Sequence, residues 1–251
     1  MDLSMKKADK QRYLTPTRKW VEKYNLIESG DKIAVGMSGG KDSSVLFYIL
    51  TILQKQFPFH FDLVPITLDM GFEETVDILP LKKFVDELEY NLVIEQTSIA
   101  KIVFDIKKEK NPCSLCANLR RGALNNVAKK YECNKVALGH HLDDGIETFF
   151  MNLLFNSKMG IFKPKTYLDK KDITVIRPLL AIEESTIKNI INKKSIPVIK
   201  NPCPADKNTK REEIKQLIKD LSIKYPEIRQ KFLKGAQNID VKEFWRTDYF
   251  I

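Results

Sequence analysis

Hydrophobic and polar positions along the chain change period repeatedly. Lys32-Ile33-Ala34-Val35 is a short apolar run that predicts a buried strand. Phe61 to Asp69 predicts a second strand, interrupted by Pro65, and Asn91 to Thr97 a third. Val136-Ala137-Leu138-Gly139-His140 predicts the fourth, and Ile173 to Leu180 the fifth. Helical spacing fills the intervals. Val45 to Leu50 predicts a helix, with Asp42 or Ser43 placed to cap its first turn. Val76 to Leu88 predicts another, its start kinked or delayed by Pro80. Ala117 to Lys130 carries Leu119, Ala123, Val127 and Ala128 along one face, and Asp143 to Phe155 carries Phe149, Phe150, Leu153 and Leu154. Glu183 to Lys193 is the last helix of this pattern. Leu14 to Tyr24 predicts a helix that feeds the first strand through the turn at Leu26 to Asp31. From about Lys210 the chain reads as helical and Lys/Glu-rich, with Leu217, Ile218 and Leu221 at core-like spacing.

Strands alternating with helices imply an α/β fold: a doubly wound, parallel, five-stranded Rossmann-like sheet with N- and C-terminal helical extensions. The expected segments are 1–28, 29–200 and 201–251. Ligands of such sheets sit beyond the carboxyl ends of the strands, which sets the 36–43 turn, Asp69, and His140 to Asp144 on one rim.

Composition narrows the class. The 251 residues are 43% hydrophobic and carry a formal net charge of +9. The excess lysine is spread along the chain, so no single basic arm accounts for it, and charge alone is weak evidence for a polyanionic partner. Met1 to Arg18 has no apolar core of the kind a signal peptide needs, and no apolar run approaches the roughly 18 residues of a bilayer span. The expectation is a cytoplasmic protein without membrane attachment, in which the four cysteines are ligands or catalytic thiols rather than structural disulfides.

The densest chemistry lies at Val35-Gly36-Met37-Ser38-Gly39-Gly40-Lys41-Asp42-Ser43-Ser44. A strand, a glycine-rich turn and a helix N-terminus together make an anion site, because the glycines let backbone N–H groups approach a phosphate. Lys41 adds a point charge, and Ser38 and Ser43 add hydroxyl donors. The stretch is not a Walker A loop: Val35 stands where that motif needs glycine, and Asp42 follows the lysine in place of Ser or Thr. The glycine spacing also fails the dinucleotide fingerprint.

Asn111-Pro112-Cys113-Ser114-Leu115-Cys116 is a CxxC, and a second Asn-Pro-Cys recurs at Asn201-Pro202-Cys203. The helix from Ala117 to Lys130 carries the chain roughly 20 Å back across the sheet at about 1.5 Å per residue. Cys133 therefore falls on the opposite rim, as a structural thiol. If Ile196-Pro197-Val198-Ile199 runs as a short strand of the same sense as the others, Cys203 ends on the rim of the glycine loop. Three converging cysteines suit a tetrahedral zinc completed by His140 or His141, a [4Fe-4S] cluster with one open iron, or a redox CxxC. Composition and spacing leave these three open.

The motifs follow one another in a definite order: Ser38-Gly39-Gly40-Lys41-Asp42-Ser43, then Cys113-Ser114-Leu115-Cys116 with Leu119-Arg120-Arg121-Gly122. Leu138-Gly139-His140-His141-Leu142-Asp143-Asp144 comes next, then Val175-Ile176-Arg177-Pro178-Leu179, then Pro202-Cys203. From about Lys19 to Gln237 the chain resembles the TtcA family of tRNA 2-thiocytidine synthetases, within the PP-loop ATP pyrophosphatases. The resemblance implies a PP-loop fold, ATP and Mg²⁺ as cofactors, a tRNA substrate, and a [4Fe-4S] cluster on Cys113, Cys116 and Cys203. It also implies a sulfur donor such as a cysteine desulfurase or sulfide, and a homodimer. Two departures stand out. Cys203 is alone before Pro204-Ala205-Asp206, where relatives commonly carry a second pair, and the cysteines of the zinc fingers found in thiouridine-forming relatives are absent. The first fits a three-cysteine cluster but shifts the alignment there by a residue or two; the second favours the thiocytidine branch.

The implied reaction adenylates the C2 oxygen of a pyrimidine, most simply cytidine 32, and replaces it with sulfur. Lys41, Asp42, Asp143, Asp144 and Arg120 are the candidate catalytic residues. Gly36, Met37, Ser38, Gly39, Gly40, Lys41, Asp42, Ser43, Asp69, Gly139 and His140 are the candidate nucleotide contacts, with Asp42, Asp143 or Asp144 near Mg²⁺. Each has a plainer role available. Arg120 and Arg121 can simply face solvent, Asp143 can cap a helix, Asp69 can serve a turn, and one of the two histidines is expected to pack. Lys163, Lys165 and Arg177 can follow RNA phosphates or form a solvated surface. Two other functions fit the same residues: a PP-loop thiolase for another tRNA position or a small molecule, and a zinc-stapled nucleotide- or RNA-binding protein without catalysis.

Overall fold

The computed structural model describes residues 6–72, 76–108, 112–199, 202–203 and 210–240. They form two compact units, one drawn from 1–141 and 162–208, the other from 142–161 and 209–251. The boundary expected at 200/201 lies outside the described residues.

The first unit is built on a six-stranded sheet. Its strands are β1 (Lys32–Gly36), β2 (Asp62–Asp69), β3 (Val93–Gln96), β4 (Lys135–Ala137), β5 (Lys165–Leu168) and β6 (Ile173–Ile176), in the order β3-β2-β1-β4-β6-β5. The first four and β6 pair in parallel, whereas β5 pairs antiparallel to β6, with Lys165 opposite Ile176. The five-stranded expectation is thus corrected by one edge strand. Lys165–Leu168 is too short, and too half-buried, to carry a hydrophobic period of its own. A 3₁₀ turn at Asp169–Lys171 and left-handed Asp172 return it to β6.

The helices of this unit begin with α1 (Lys7–Asp9), a wide turn of π type (Lys10–Leu14) and α2 (Thr15–Lys23). They continue with α3 (Lys41–Gln56), α4 (Leu79–Glu87) and α5 (Pro112–Lys130). Pro80 sits in the first turn of α4, where its missing N–H costs nothing, so this helix starts later than its apolar pattern suggests. Right-handed crossovers put α3 and α4 on one face of the sheet, where Phe47 meets Phe84 edge-on, and α5 on the other. On the α5 face, Ala34 of β1 packs with Leu124, Val127, Ala128 and Cys133. Beneath β1, at its amino end, the buried Lys135 ammonium lies 2.7 Å from Asp31 and 2.7 Å from Glu28.

The second unit is a helical group. α6 (Leu142–Asn156) packs Leu142 and Ile146 against Ile214 and Ile218 of α8 (Lys210–Lys224), with Phe232 and Leu233 of α9 (Ile228–Gly235) alongside. Ile214 and Ile218 are one turn apart and form the buried seam, while Leu217 is largely exposed. Between these two groups in the chain, and belonging to the first unit, α7 (Glu184–Lys194) packs on α3. No described helix is long and apolar enough to cross a membrane.

Candidate active site

β1 delivers the chain to the glycine turn at the carboxyl edge of the sheet, and α3 begins immediately after it. Gly40 is the N-cap, so Lys41, Asp42 and Ser43 lie inside the first helical turn rather than before it. The capping role expected of Asp42 or Ser43 is thereby corrected. Ser43 ties the turn instead. Its hydroxyl donates to the Gly40 carbonyl at 3.0 Å and accepts the Ser38 N–H at 3.1 Å. With that proton placed, the Ser38 hydroxyl donates to Ser43 Oγ at 3.1 Å and accepts the Gly40 N–H at 3.3 Å. Both hydroxyls are thus used within the turn, and its shape is set before a ligand arrives.

The glycines have separate reasons. Gly39 takes φ +76°, and a Cβ there would stand 3.0 Å from the Cβ of Ile199, whose N–H donates to the Gly39 carbonyl at 2.8 Å. Gly36 makes room for Leu124 of α5, since a Cβ would lie 2.9 Å from its Cδ2. At Gly139, past the end of β4, a Cβ would lie 2.9 Å from the Asp42 carbonyl carbon and 3.0 Å from the Ser43 nitrogen. Gly36 and Gly139 therefore act by close packing around the turn. Met37 is buried, and its N–H donates to Ile66 of β2.

Lys41 lies between two carboxylates, with Nζ 3.0 Å from Asp42 Oδ2 and 3.0 Å from Glu184 Oε1. Burial works against its charge, but Asp42 and Glu184 outweigh it and hold the ammonium above the ordinary lysine range. Asp42 Oδ1 is buried, accepts no hydrogen bond, and lies 3.5 Å from Nε2 of buried His141. Of the two histidines, His141 is therefore the one packed at the loop. His140 stacks on Phe162, with ring centroids 4.9 Å apart, and the Arg177 guanidinium covers Phe162 at 5.0 Å. Arg177 is held by the Lys163 carbonyl at 2.7 Å, while burial and neighbouring Arg121 push its pKa down to about 10. Asp69 ends β2 as a turn residue: its carboxylate accepts the Gly71 N–H at 3.0 Å, and its carbonyl accepts from Thr97.

The CxxC occupies the first turn of α5, five residues earlier than the helical pattern begins, because Pro112 is a good first helical residue. Cys113 is exposed; Cys116 and Cys203 are half-buried. Burial lifts the Cys116 thiol, Arg120 one turn on opposes this, and Cys203 and Cys113 both reinforce it. Cys203 thus reaches the CxxC across 86 intervening residues. Among the described residues, no group of three or more His, Cys, Asp or Glu side chains is arranged as a metal-ion site. Cys133 is buried in the α5 core, and burial pushes its thiol up to about 11.

Asp143 and Asp144 begin α6, in the second unit. Asp143 is paired with Arg229 of α9 at 2.6 Å. Asp144 is paired with Arg211 of α8 at 2.8 Å, and that guanidinium also meets Glu147 at 2.5 Å. Burial lifts the Glu147 carboxyl despite this contact. Sequence reasoning missed these arginines and also missed Glu184 and Ile199. The only local signal was a Glu pair at the head of a predicted helix, and that pattern is common.

Comparison with known proteins matches residues 10–221 to the PP-loop domain. The tRNA-cytidine(32) 2-sulfurtransferase of Geobacter metallireducens is 38% identical over 87% of this chain and 86% of its own. That of Pseudomonas syringae pv. syringae is also 38% identical, over 92% of this chain and 84% of its own. The chain belongs to the tRNA-cytidine(32) 2-sulfurtransferase family of PP-loop proteins. As a member of this family it is an enzyme. Among solved structures, the U34-tRNA thiolase NcsA from Methanococcus maripaludis with its [4Fe-4S] cluster superposes with a TM-score of 0.72 at 27% identity. The match covers 89% of this chain and 76% of that one.

Proposed function

We propose that this PP-loop enzyme is an ATP-dependent tRNA sulfurtransferase that converts cytidine 32 to 2-thiocytidine. The observation that carries the reading is that Cys113 and Cys203 both act on the Cys116 thiol, with the segment before Cys203 bonded to the glycine loop through Ile199 and Gly39. Three thiols with the fourth cysteine buried elsewhere suit a [4Fe-4S] cluster, which would supply an iron able to take an exogenous ligand such as sulfide. Cys113, Cys116 and Cys203 are its ligands in this reading.

The C2 oxygen of a pyrimidine is a poor leaving group. It attacks the α-phosphorus of ATP, pyrophosphate leaves, and the oxygen becomes part of an AMP leaving group. Lys41 and the N–H groups at the head of α3 stabilise the charge gathering on the departing phosphates. Asp42 Oδ1, buried without a hydrogen bond, is the carboxylate oxygen with capacity left for Mg²⁺. Asp143 and Asp144, engaged by Arg229 and Arg211, dock helices in this reading and do not bind the metal. Sulfide then adds at C2 and AMP departs with the former C2 oxygen. Arg120, Arg121 and Arg177 have no carboxylate partner among the described residues; Arg120 supplies positive charge beside Cys116, and Arg121 and Arg177 lie close to each other, as charge for RNA phosphate. A cysteine desulfurase or free sulfide supplies the sulfur.

Mass spectrometry of tRNA nucleosides from a deletion strain tests the reading. Loss of 2-thiocytidine with 2-thiouridine intact supports it. An unchanged 2-thiocytidine level refutes it.

A further inference from the structure

Glu184 belongs to none of the motifs above, yet it touches the central lysine of the site. It opens α7, with Glu183 at the N-cap, and α7 packs on α3. Lys41 opens α3. Two helices that lie some 140 residues apart in sequence therefore begin side by side, and their first side chains meet at 3.0 Å. The other carboxylate oxygen of Glu184 holds Lys188 at 2.9 Å, one turn further along α7. Burial disfavours the charged carboxylate, but Lys188 and Lys41 pull the Glu184 pKa down to about 2, so it is ionised at neutral pH.

An ammonium has three N–H donors, and here two face carboxylates, those of Asp42 and Glu184. A lysine has a long flexible stem, and without Glu184 this one would keep only its contact with the adjacent Asp42. The charges of Lys41, Lys188, Asp42 and Glu184 sum to zero, so in the resting loop the attraction for an anion falls to the N–H groups at the head of α3. Lys188 makes the arrangement reversible. When Lys41 turns to a phosphate, Glu184 keeps a cation.

We propose that Glu184 is a positioning residue for the reaction: it holds Lys41 at the loop and yields it, through exchange with Lys188, to the departing pyrophosphate. This rests on the reading that the loop receives the pyrophosphate of ATP. In effect, Glu184 competes with the product for one ammonium. It therefore weakens pyrophosphate binding and speeds product release, while keeping Lys41 oriented for the transition state.

The test uses the full chain with its cluster reconstituted, as wild type, Glu184→Gln and Lys188→Met. Three quantities are read: affinity for inorganic pyrophosphate by calorimetry, and kcat and KM for ATP from tRNA-dependent pyrophosphate release. Glu184→Gln should bind pyrophosphate about tenfold tighter, the factor commanded by one charge-assisted hydrogen bond. Its kcat should fall about tenfold, with KM for ATP unchanged or lower. Lys188→Met should shift pyrophosphate affinity the other way, by a few-fold. Unchanged or weaker pyrophosphate binding in Glu184→Gln overturns the proposal, as does a raised KM with unchanged kcat or tighter binding in Lys188→Met. A wild-type chain that binds pyrophosphate but releases none with tRNA and ATP refutes the sulfurtransferase reading alone. A wild type that binds no pyrophosphate removes the basis of both.

Discussion

Gly139→Ala tests whether close packing around the turn holds the phosphate loop in shape. The added methyl would stand 2.9 Å from the Asp42 carbonyl carbon, 3.0 Å from its oxygen and 3.0 Å from the Ser43 nitrogen. All three are backbone atoms of the first turn of α3, so no side chain can swing aside. Either the end of β4 or the start of the helix must move by several tenths of an ångström. Overpacking of this kind costs about 1–3 kcal/mol. For a chain of this length that lowers Tm by roughly 2–12 °C. The functional effect should exceed the stability effect, because the displaced turn carries Lys41 and the amides facing the phosphates. A misplacement approaching 1 Å costs about 100-fold in rate. Thermal unfolding and tRNA-dependent pyrophosphate release, measured on one preparation, give both numbers. Gly122→Ala is the control. That glycine lies within α5 with nothing within 4 Å of its added Cβ, so alanine should stabilise the chain by about 0.5–1 kcal/mol and leave the kinetics alone. If Gly139→Ala matches wild type in Tm and kcat/KM, the packing argument is wrong. If Tm falls and kcat/KM does not, Gly139 supports the fold but not the loop.

Cys203→Ala should lose the iron and acid-labile sulfide of anaerobically purified protein, whereas Cys133→Ala should retain both. The Cys133 thiol, raised to about 11, should also resist iodoacetamide at pH 7 until the chain unfolds. Lys135→Met leaves the buried Asp31 carboxylate without its cation and should cost about 3–5 kcal/mol in urea unfolding, since both side chains are almost fully enclosed. Glu184 has a folded pKa depressed to about 2, so its stabilisation is fully present above its unfolded value near 4.3 and is lost as pH falls toward about 2. Between pH 5 and 2, wild type should therefore lose more stability than Glu184→Gln. Parallel acid-denaturation curves for the two would refute the assignment.

The parallel core of the sheet was legible in the sequence because buried strands carry continuous apolar runs that need no context. β5 was not, since an edge strand of four half-buried residues gains its conformation from pairing with β6 rather than from its own period. The glycine loop was legible as an anion site, but the reasons for its glycines were not. Gly36 and Gly139 accommodate Leu124 and the α3 backbone, and those neighbours come from other parts of the chain. Asp143 and Asp144 illustrate the same limit. A pair of acids after a strand reads as metal chemistry, and nothing nearby in sequence announces that Arg211 and Arg229, more than 60 residues on, are bonded to them. Ile196 to Ile199 is not the short strand that was expected; its link to the loop is the single bond from Ile199 to Gly39, and Cys203 acts on Cys116 beyond it. Glu184 needed the meeting of two helix starts, which no local pattern encodes.

The bond from Ile199 to the Gly39 carbonyl has a consequence for timing. A peptide unit is rigid and trans, so anchoring that carbonyl also fixes the direction of the Gly40 N–H on the far side of the same plane. Any ligand that required this amide to turn would have to break the Ile199 bond, four residues ahead of Cys203. One flat group of atoms therefore ties the glycine loop to the segment that runs toward Cys203. In the proposed function, a nucleotide that turned this amide would release Ile199 before the chemistry, and one that left it in place would find the segment already docked.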